Sequence, residues 1–207
     1  MRPEIKYLCR VVAVAALLAL PLGAVAQTPP APPKVARGVV ESIDDTHLTL
    51  DLGDRKTQTL ALAKDWTVSL LKPVDVESIQ AGSFIGTAEM PAKDGTGRSL
   101  EVHVFPPGVK AGEGHYDWDL RKGSMMTNGT VGKVTAGAKG RELQVTYPGG
   151  ERKVVVPKGV PVVQITGGQR SLVRAGVPVF VMIANPPGAE PSVMSIAVGE
   201  NGTKPPM

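Results

Sequence analysis

From Arg37 onward the apolar residues come in short runs rich in Val, Leu, Ile and Thr, each broken by Gly, Pro or Asp. Breaks about eight to twelve residues apart mark short strands joined by turns. No stretch after Ala26 sustains the spacing of an amphipathic helix. The best exception, VDVESIQA from Val74 to Ala81, predicts one or two helical turns ended by Gly82. In an extended chain successive side chains point to opposite faces. That alternation places Leu100, Val102 and Val104 inward and Glu101, His103 and Phe105 outward.

The pattern is written twice. Gly38-Val39-Val40-Glu41-Ser42-Ile43 matches Gly129-Thr130-Val131-Gly132-Lys133-Val134, and Leu48-Thr49-Leu50 matches Leu143-Gln144-Val145. Leu60-Ala61-Leu62 then matches Val154-Val155-Val156 across polar turns. Farther on the spacing is constant: Val68 with Val162, Ile79 with Val173, Gly82 with Gly176, and Leu100, Val102 and Val104 with Met194, Ile196 and Val198. A fixed spacing over this length indicates a tandem duplication. With about six short strands per unit, closure into a small barrel removes the edges a flat sheet would expose. The expected fold is therefore all-β: two tandem small β-barrel domains, OB-like or SH3-like, joined by a connector.

The Gly-x-Val-x-x-Ile/Val start, the Leu-Thr-Leu strand, the hairpin and the Ala-Gly turn followed by two strands resemble the exported bacterial family catalogued as domain of unknown function 5666. The resemblance implies a small β-barrel domain, present here in two copies that cover most of the chain after Ala26. The segments HVFP, GEGH, WDL and MTN between the units resemble uncharacterised secreted proteobacterial proteins that pair two such domains.

Before the repeats, Arg2, Lys6 and Arg10 precede an apolar run from Val11 to Leu20, then Pro21, Gly23 and the small residues Ala24-Val25-Ala26. This order reads as a secretory signal peptide cleaved after Ala26, since the run is short of a membrane span and Pro21 and Gly23 interrupt it. The one cysteine, Cys9, lies inside that segment. Disulfides, thiol catalysis and Cys-ligated metals are excluded for the remainder. The patterns divide the chain into signal peptide (1–26), Pro-rich tether (27–36), first barrel repeat (37–105), connector (106–127), second barrel repeat (128–199) and tail (200–207). The net charge of +4 is mild and forms no basic cluster, which argues against nucleic acid as a partner.

Candidate chemistry concentrates between His103 and Thr127. An extended Glu113 to Leu120 would point Glu113, His115, Asp117 and Asp119 to one side and Tyr116, Trp118 and Leu120 to the other. One reading is a strap that buries the interface residues Tyr116 and Trp118 between the barrels. The alternative is a site for a divalent metal such as Zn, Ni or Cu, built from His115, Asp117 and Glu113 with His103 as a distant second imidazole. Met125 and Met126 would favour Cu(I), whereas Met90, Met182 and Met194 read as core filler. His47 reads as a solvated hairpin residue. No nucleophile elbow, phosphate loop, zinc helix or calcium loop is present. The expectation is thus a non-enzymatic, periplasmic or secreted binding module with no cofactor, whose partner is an envelope protein or peptide; the alternative is a periplasmic metal-handling accessory protein.

Overall fold

The computed structural model describes residues 34–186 and 188–207; the segment read as a signal peptide and most of the segment read as a tether lie outside the described residues. The strands are β1 (Lys34–Ile43), β2 (His47–Gly53), β3 (Lys56–Pro73), β4 (Phe84–Pro91), β5 (Gly97–Ser99), β6 (Val102–Val104) and β7 (Gly114–Trp118), followed by β8 (Ser124–Gly137), β9 (Gly140–Tyr147), β10 (Gly150–Val156), β11 (Val162–Gly168), β12 (Pro178–Ala184) and β13 (Ser192–Gly199). The fold is all-β, with all thirteen strands in one sheet. Single 3-10 turns at Val76–Ser78 and Arg170–Leu172 occupy equivalent places in the two repeats. No helix among the described residues is long and apolar enough to cross a membrane.

The repeats trade their closing strands. β1, β2 and β3 of the first repeat close a ring with β12 and β13 of the second, through β1–β12 and β13–β3 pairs. β8, β9 and β10 of the second repeat close the other ring with β4 and β5 of the first, through β4–β8 and β10–β5 pairs. The registers are equivalent pair by pair. Gly38 faces Val179 as Gly129 faces Ile85, and Ile196 lies beside Val68 as Val102 lies beside Val162. β3 also runs antiparallel to β11 with Leu71 opposite its own counterpart Ile165, so a local two-fold axis passes between them. Gly38 and Gly129, which open the repeats, sit where a Cβ would press into the carbonyl oxygen of Asp51 or Thr146.

Each ring has its own apolar interior. Leu48, Leu50, Val181, Val193 and Ile196 fill the first, and Ile85, Val131, Leu143, Val145 and Val154 fill the second. Fully burying such a side chain stabilises the fold by about 1.5–3 kcal/mol. Because each interior is made by both repeats, neither repeat can complete its core alone. Arg170 adds a cross-repeat tie, with its guanidinium 4.4 Å from the Trp66 ring centroid and Nη2 donating to the Trp66 carbonyl at 2.6 Å.

Several expectations need correction. The first strand begins inside the tether, and Ala36 joins the core. The connector is not a separate segment: β7 forms a hairpin with β8, and Ser124–Thr127 is already strand. Val102 and Ile196 are buried as alternation requires, but the opposite, outward face is also covered. His103 is 6% exposed and Ala197 8%. Leu100 is only partly buried and Met194 is exposed. The reason is an irregular register: Met182 pairs with Ser195 but Ile183 with Val193, so Met194 is the extra, unpaired residue of a bulge. Past the bulge, Val193 takes the inward place.

Candidate functional site

The outward faces of the two rings meet and form a third interior. Leu71, Val163, Phe180, Ala197 and Met207 pack there, with Trp118, Ile165 and Met182 at its margin. The packing leaves a cavity of about 390 Å³. Its walls come from both repeats: Ala197 and Phe180 from the strands of the first ring, Met126 and Asn128 from β8 of the second, His103 from β6, and Tyr116 and Trp118 from β7. These positions follow from register. Tyr116 pairs with Met126 and Gly114 with Asn128, so all four lie on the cavity face of the β7–β8 hairpin.

The cavity is mostly apolar, with the hydroxyl residues Thr67, Ser69, Thr166 and Ser195 on the wall from β3, β11 and β13, and with His103 and Asn128 at another part of the wall. There Glu101, fully buried, accepts the backbone N–H of Ala88 through Oε1 at 2.7 Å and lies 3.0 Å from His103 Nδ1 through Oε2. The His103 ring also meets Phe105 edge-on, at 5.3 Å between centroids. Asn128 donates from Nδ2 to the Gly112 carbonyl at 2.9 Å and to the Tyr116 hydroxyl at 3.0 Å. Its Oδ1 is buried with no partner among the described residues, as is Nε1 of Trp118. A buried acceptor left unpaired costs about 1–3 kcal/mol, so this one marks a place where the fold does not complete its own bonding. Burial pushes the Tyr116 phenol above its ordinary range.

On the other face of β4 and β8 lies a polar cluster inside the second ring. Glu89, fully buried, receives Arg152 Nε at 2.6 Å. Arg152 also donates to the carbonyls of Gly95 and Thr96. Gly97 is needed beside it, because a Cβ there would strike the Glu89 carboxylate. Burial pushes the Glu89 carboxyl above the usual glutamate range, opposed by Arg152. His115 shares this face: Nδ1 is 2.8 Å from the Thr127 hydroxyl and the ring stacks near Tyr147. Its pKa is lowered by burial and then by Arg152, with Asp117 acting the other way.

The residues read as a metal set are therefore not brought together. His115 pairs with Thr127 across the β7–β8 hairpin, while His103 pairs with Gly86, which faces Asn128. Neighbouring positions on a strand point to opposite faces, so the two imidazoles lie on opposite sides of the sheet. Glu113 and Asp117 are exposed, and no group of three His, Cys, Asp or Glu among the described residues is placed to hold a metal ion. Met125 and Met126 likewise point to opposite faces. Trp118 is partly rather than fully buried, set 6.3 Å from Phe180 and beneath Arg37, which also forks onto Asp119 at 2.7 and 3.0 Å. His47 is exposed, with Nδ1 beside the Thr46 hydroxyl.

Sequence reasoning missed Asn128, Gly86 and the Glu101 carboxylate. One signal was available: in the repeat alignment Glu101 and His103 stand where the other copy has Ser195 and Ala197, and Gly86 where it has Phe180. Polar residues confined to one copy of a duplicated strand mark a departure from pure packing. No family model, no curated protein and no solved structure matches this chain.

Proposed function

We propose that the protein is a non-enzymatic binding module of the bacterial cell envelope, in which two small barrels, each closed by strands of both repeats, hold a ligand between them. The apolar cavity of about 390 Å³ carries this reading, since ligand sites are apolar concavities of roughly 300–1,000 Å³ with a few convergent polar groups. Binding is the reading that the lining favours, because apolar side chains such as Leu71, Ile165, Phe180 and Met126 dominate it. Placement in the envelope rests on the basic, apolar and small-residue order that ends at Ala26.

The test is titration with the fluorescent apolar probe N-phenylnaphthylamine. Saturable, one-to-one binding is expected. Ala197→Phe, which fills the cavity, should weaken it about tenfold or more, a loss of about 1.4 kcal/mol; Met182→Trp serves if the first variant does not fold. Absence of saturable binding to the wild-type protein would overturn the proposal.

A further inference from the structure

Strand register sets the chemistry of one wall of the cavity. On β3 the side chains of Thr67, Ser69 and Leu71 share a face, and the parallel strand β13 sets Ser195 beside Thr67 and Ala197 beside Ser69. Next to β13, Met182 pairs with Ser195 and Phe180 with Ala197; across β3, Gly167 faces Ser69 and Ile165 faces Leu71. All of these line the cavity, and their burial changes in one direction. Leu71, Phe180 and Ala197 are buried, Ser69 and Ser195 half-buried, and Thr67 and Gly167 exposed. The wall therefore grades from an apolar floor to a row of hydroxyls at the rim. Among the described residues, Thr166 commits its hydroxyl to the Leu70 carbonyl at 3.1 Å, whereas those of Thr67, Ser69 and Ser195 bond to nothing in the fold. Ser69 and Ser195 are not sealed off, so their hydroxyls are open to a ligand. Packing does not require them: Ser69 stands where the other copy has Val163 and Ser195 where it has Glu101. No Asp, Glu, Lys or Arg among the described residues lines the cavity. Arg37, which reaches its margin at Trp118 and Phe180, is already held by both oxygens of Asp119 and by the Met207 carbonyl. His103 lies 3.0 Å from the Glu101 carboxylate, so a charge gained by its ring meets a partner within the fold.

We infer that the ligand is an uncharged amphiphile, an alkyl chain carrying a hydroxylated head such as a sugar or glycerol, and that the hydroxyl row of β3 and β13 is its head-group subsite. The inference rests on the binding reading of the cavity and specifies its ligand class. The chain lies against Leu71, Phe180 and Ala197, and the head meets Thr67, Ser69 and Ser195 at the rim. A hydroxyl both donates and accepts, so a polyol head matches this row whichever way each hydroxyl turns. A charged head is disfavoured, because entering the half-buried rim strips part of its water and no opposite charge replaces it. Alkyl glycosides and glycerol esters are thereby preferred over fatty acids and alkylammonium ions.

The test keeps the octyl chain and changes the head. Octyl glucoside, octyl methyl ether, nonanoate and octyltrimethylammonium are each titrated into the purified protein below the micelle-forming concentration and followed by calorimetry. Octyl glucoside is expected to bind about tenfold more tightly than each of the others. Thr67→Val, Ser69→Ala and Ser195→Ala combined leave the apolar floor in place and should bring the glucoside down to the ether. Ser195→Lys, which puts a cation at the rim, should move the preference to nonanoate, and it decides the matter if the combined variant does not unfold cooperatively. Equal binding of glucoside and ether to the wild type, a preference that survives these changes, or tightest binding of a charged compound would overturn the hydroxyl subsite while leaving the binding module intact. No binding of any of the four would overturn the cavity reading and this inference with it. If native mass measurement shows a dimer that octyl glucoside dissociates, a second copy of the chain is the occupant and the small-molecule assignment fails.

Discussion

The two rings share strand order and register but fill equivalent positions with opposite chemistry. Where the first ring has Val181, Ile183 and Val193 in its apolar interior, the second has Thr87, Glu89 and Ser99, all buried. The difference extends to the partner strands, since Arg152, which meets Glu89, stands where the other copy has Gln58. Replacing a buried ion pair by apolar groups is often neutral or stabilising. The first ring shows that this framework closes without one. The polar set of the second ring is therefore not required by the fold. It lies on the opposite side of the sheet from Asn128, so that ring carries buried polar groups on both faces.

The largest effect concerns the exchange itself. Residues 34–105 expressed alone should show no cooperative monomeric unfolding, because Val181, Val193 and Ile196 of their ring belong to the other repeat. Mixing with residues 106–207 should restore it. A monomeric fragment that unfolds cooperatively would break the exchange. Next, Arg152→Gln should destabilise the protein by about 3–5 kcal/mol by leaving Glu89 buried and unpaired. Glu89→Ile combined with Arg152→Gln copies the first ring and should recover that loss, or exceed wild-type stability by about 1–4 kcal/mol. Equal losses in the single and double variants, measured by denaturant unfolding, would show that the pair is not a self-contained unit.

Trp66→Ala should cost about 3–5 kcal/mol, since Trp66 is 7% exposed and sits beneath Arg170. Trp118→Ala should cost less, about 1–2 kcal/mol, because that ring is only partly buried. The reverse order would place the main apolar anchor at the cavity and not in the first ring. The smallest effects are in pH dependence. Burial raises the Glu89 carboxyl, so the folded protein keeps that proton to higher pH than the unfolded chain. Stability should fall as pH rises from the ordinary glutamate range through the folded pKa, and Glu89→Gln should remove that slope. His115 is lowered, so its contribution is present above the ordinary histidine range and lost as pH falls through the folded pKa. His115→Gln should flatten that limb. Unfolding curves across a pH series of the two variants separate these windows.

The sequence by itself determined the strand class, the duplication and one face of each closing strand. Alternation over Val102 and Val104 requires only that a side chain and its second neighbour share a face, which is a local property of extended backbone. What covers the other face is not local, and there the structure decided. Glu101 and His103, outward by alternation, are buried because the two rings pack face to face. Which copy closes which ring was equally hidden. Gly38 opposite Val179 and Gly38 opposite Ile85 are nearly identical contacts when the strands are repeats, so pattern and propensity are the same for exchanged and unexchanged closure. Only the residues in which the copies differ break that degeneracy. Glu89 must lie in the same ring as Arg152, because a buried carboxylate without its partner is far less stable than one with it. That pairing between distant segments, legible as one unmatched acid and one unmatched base, is settled only when the tertiary structure brings the strands together.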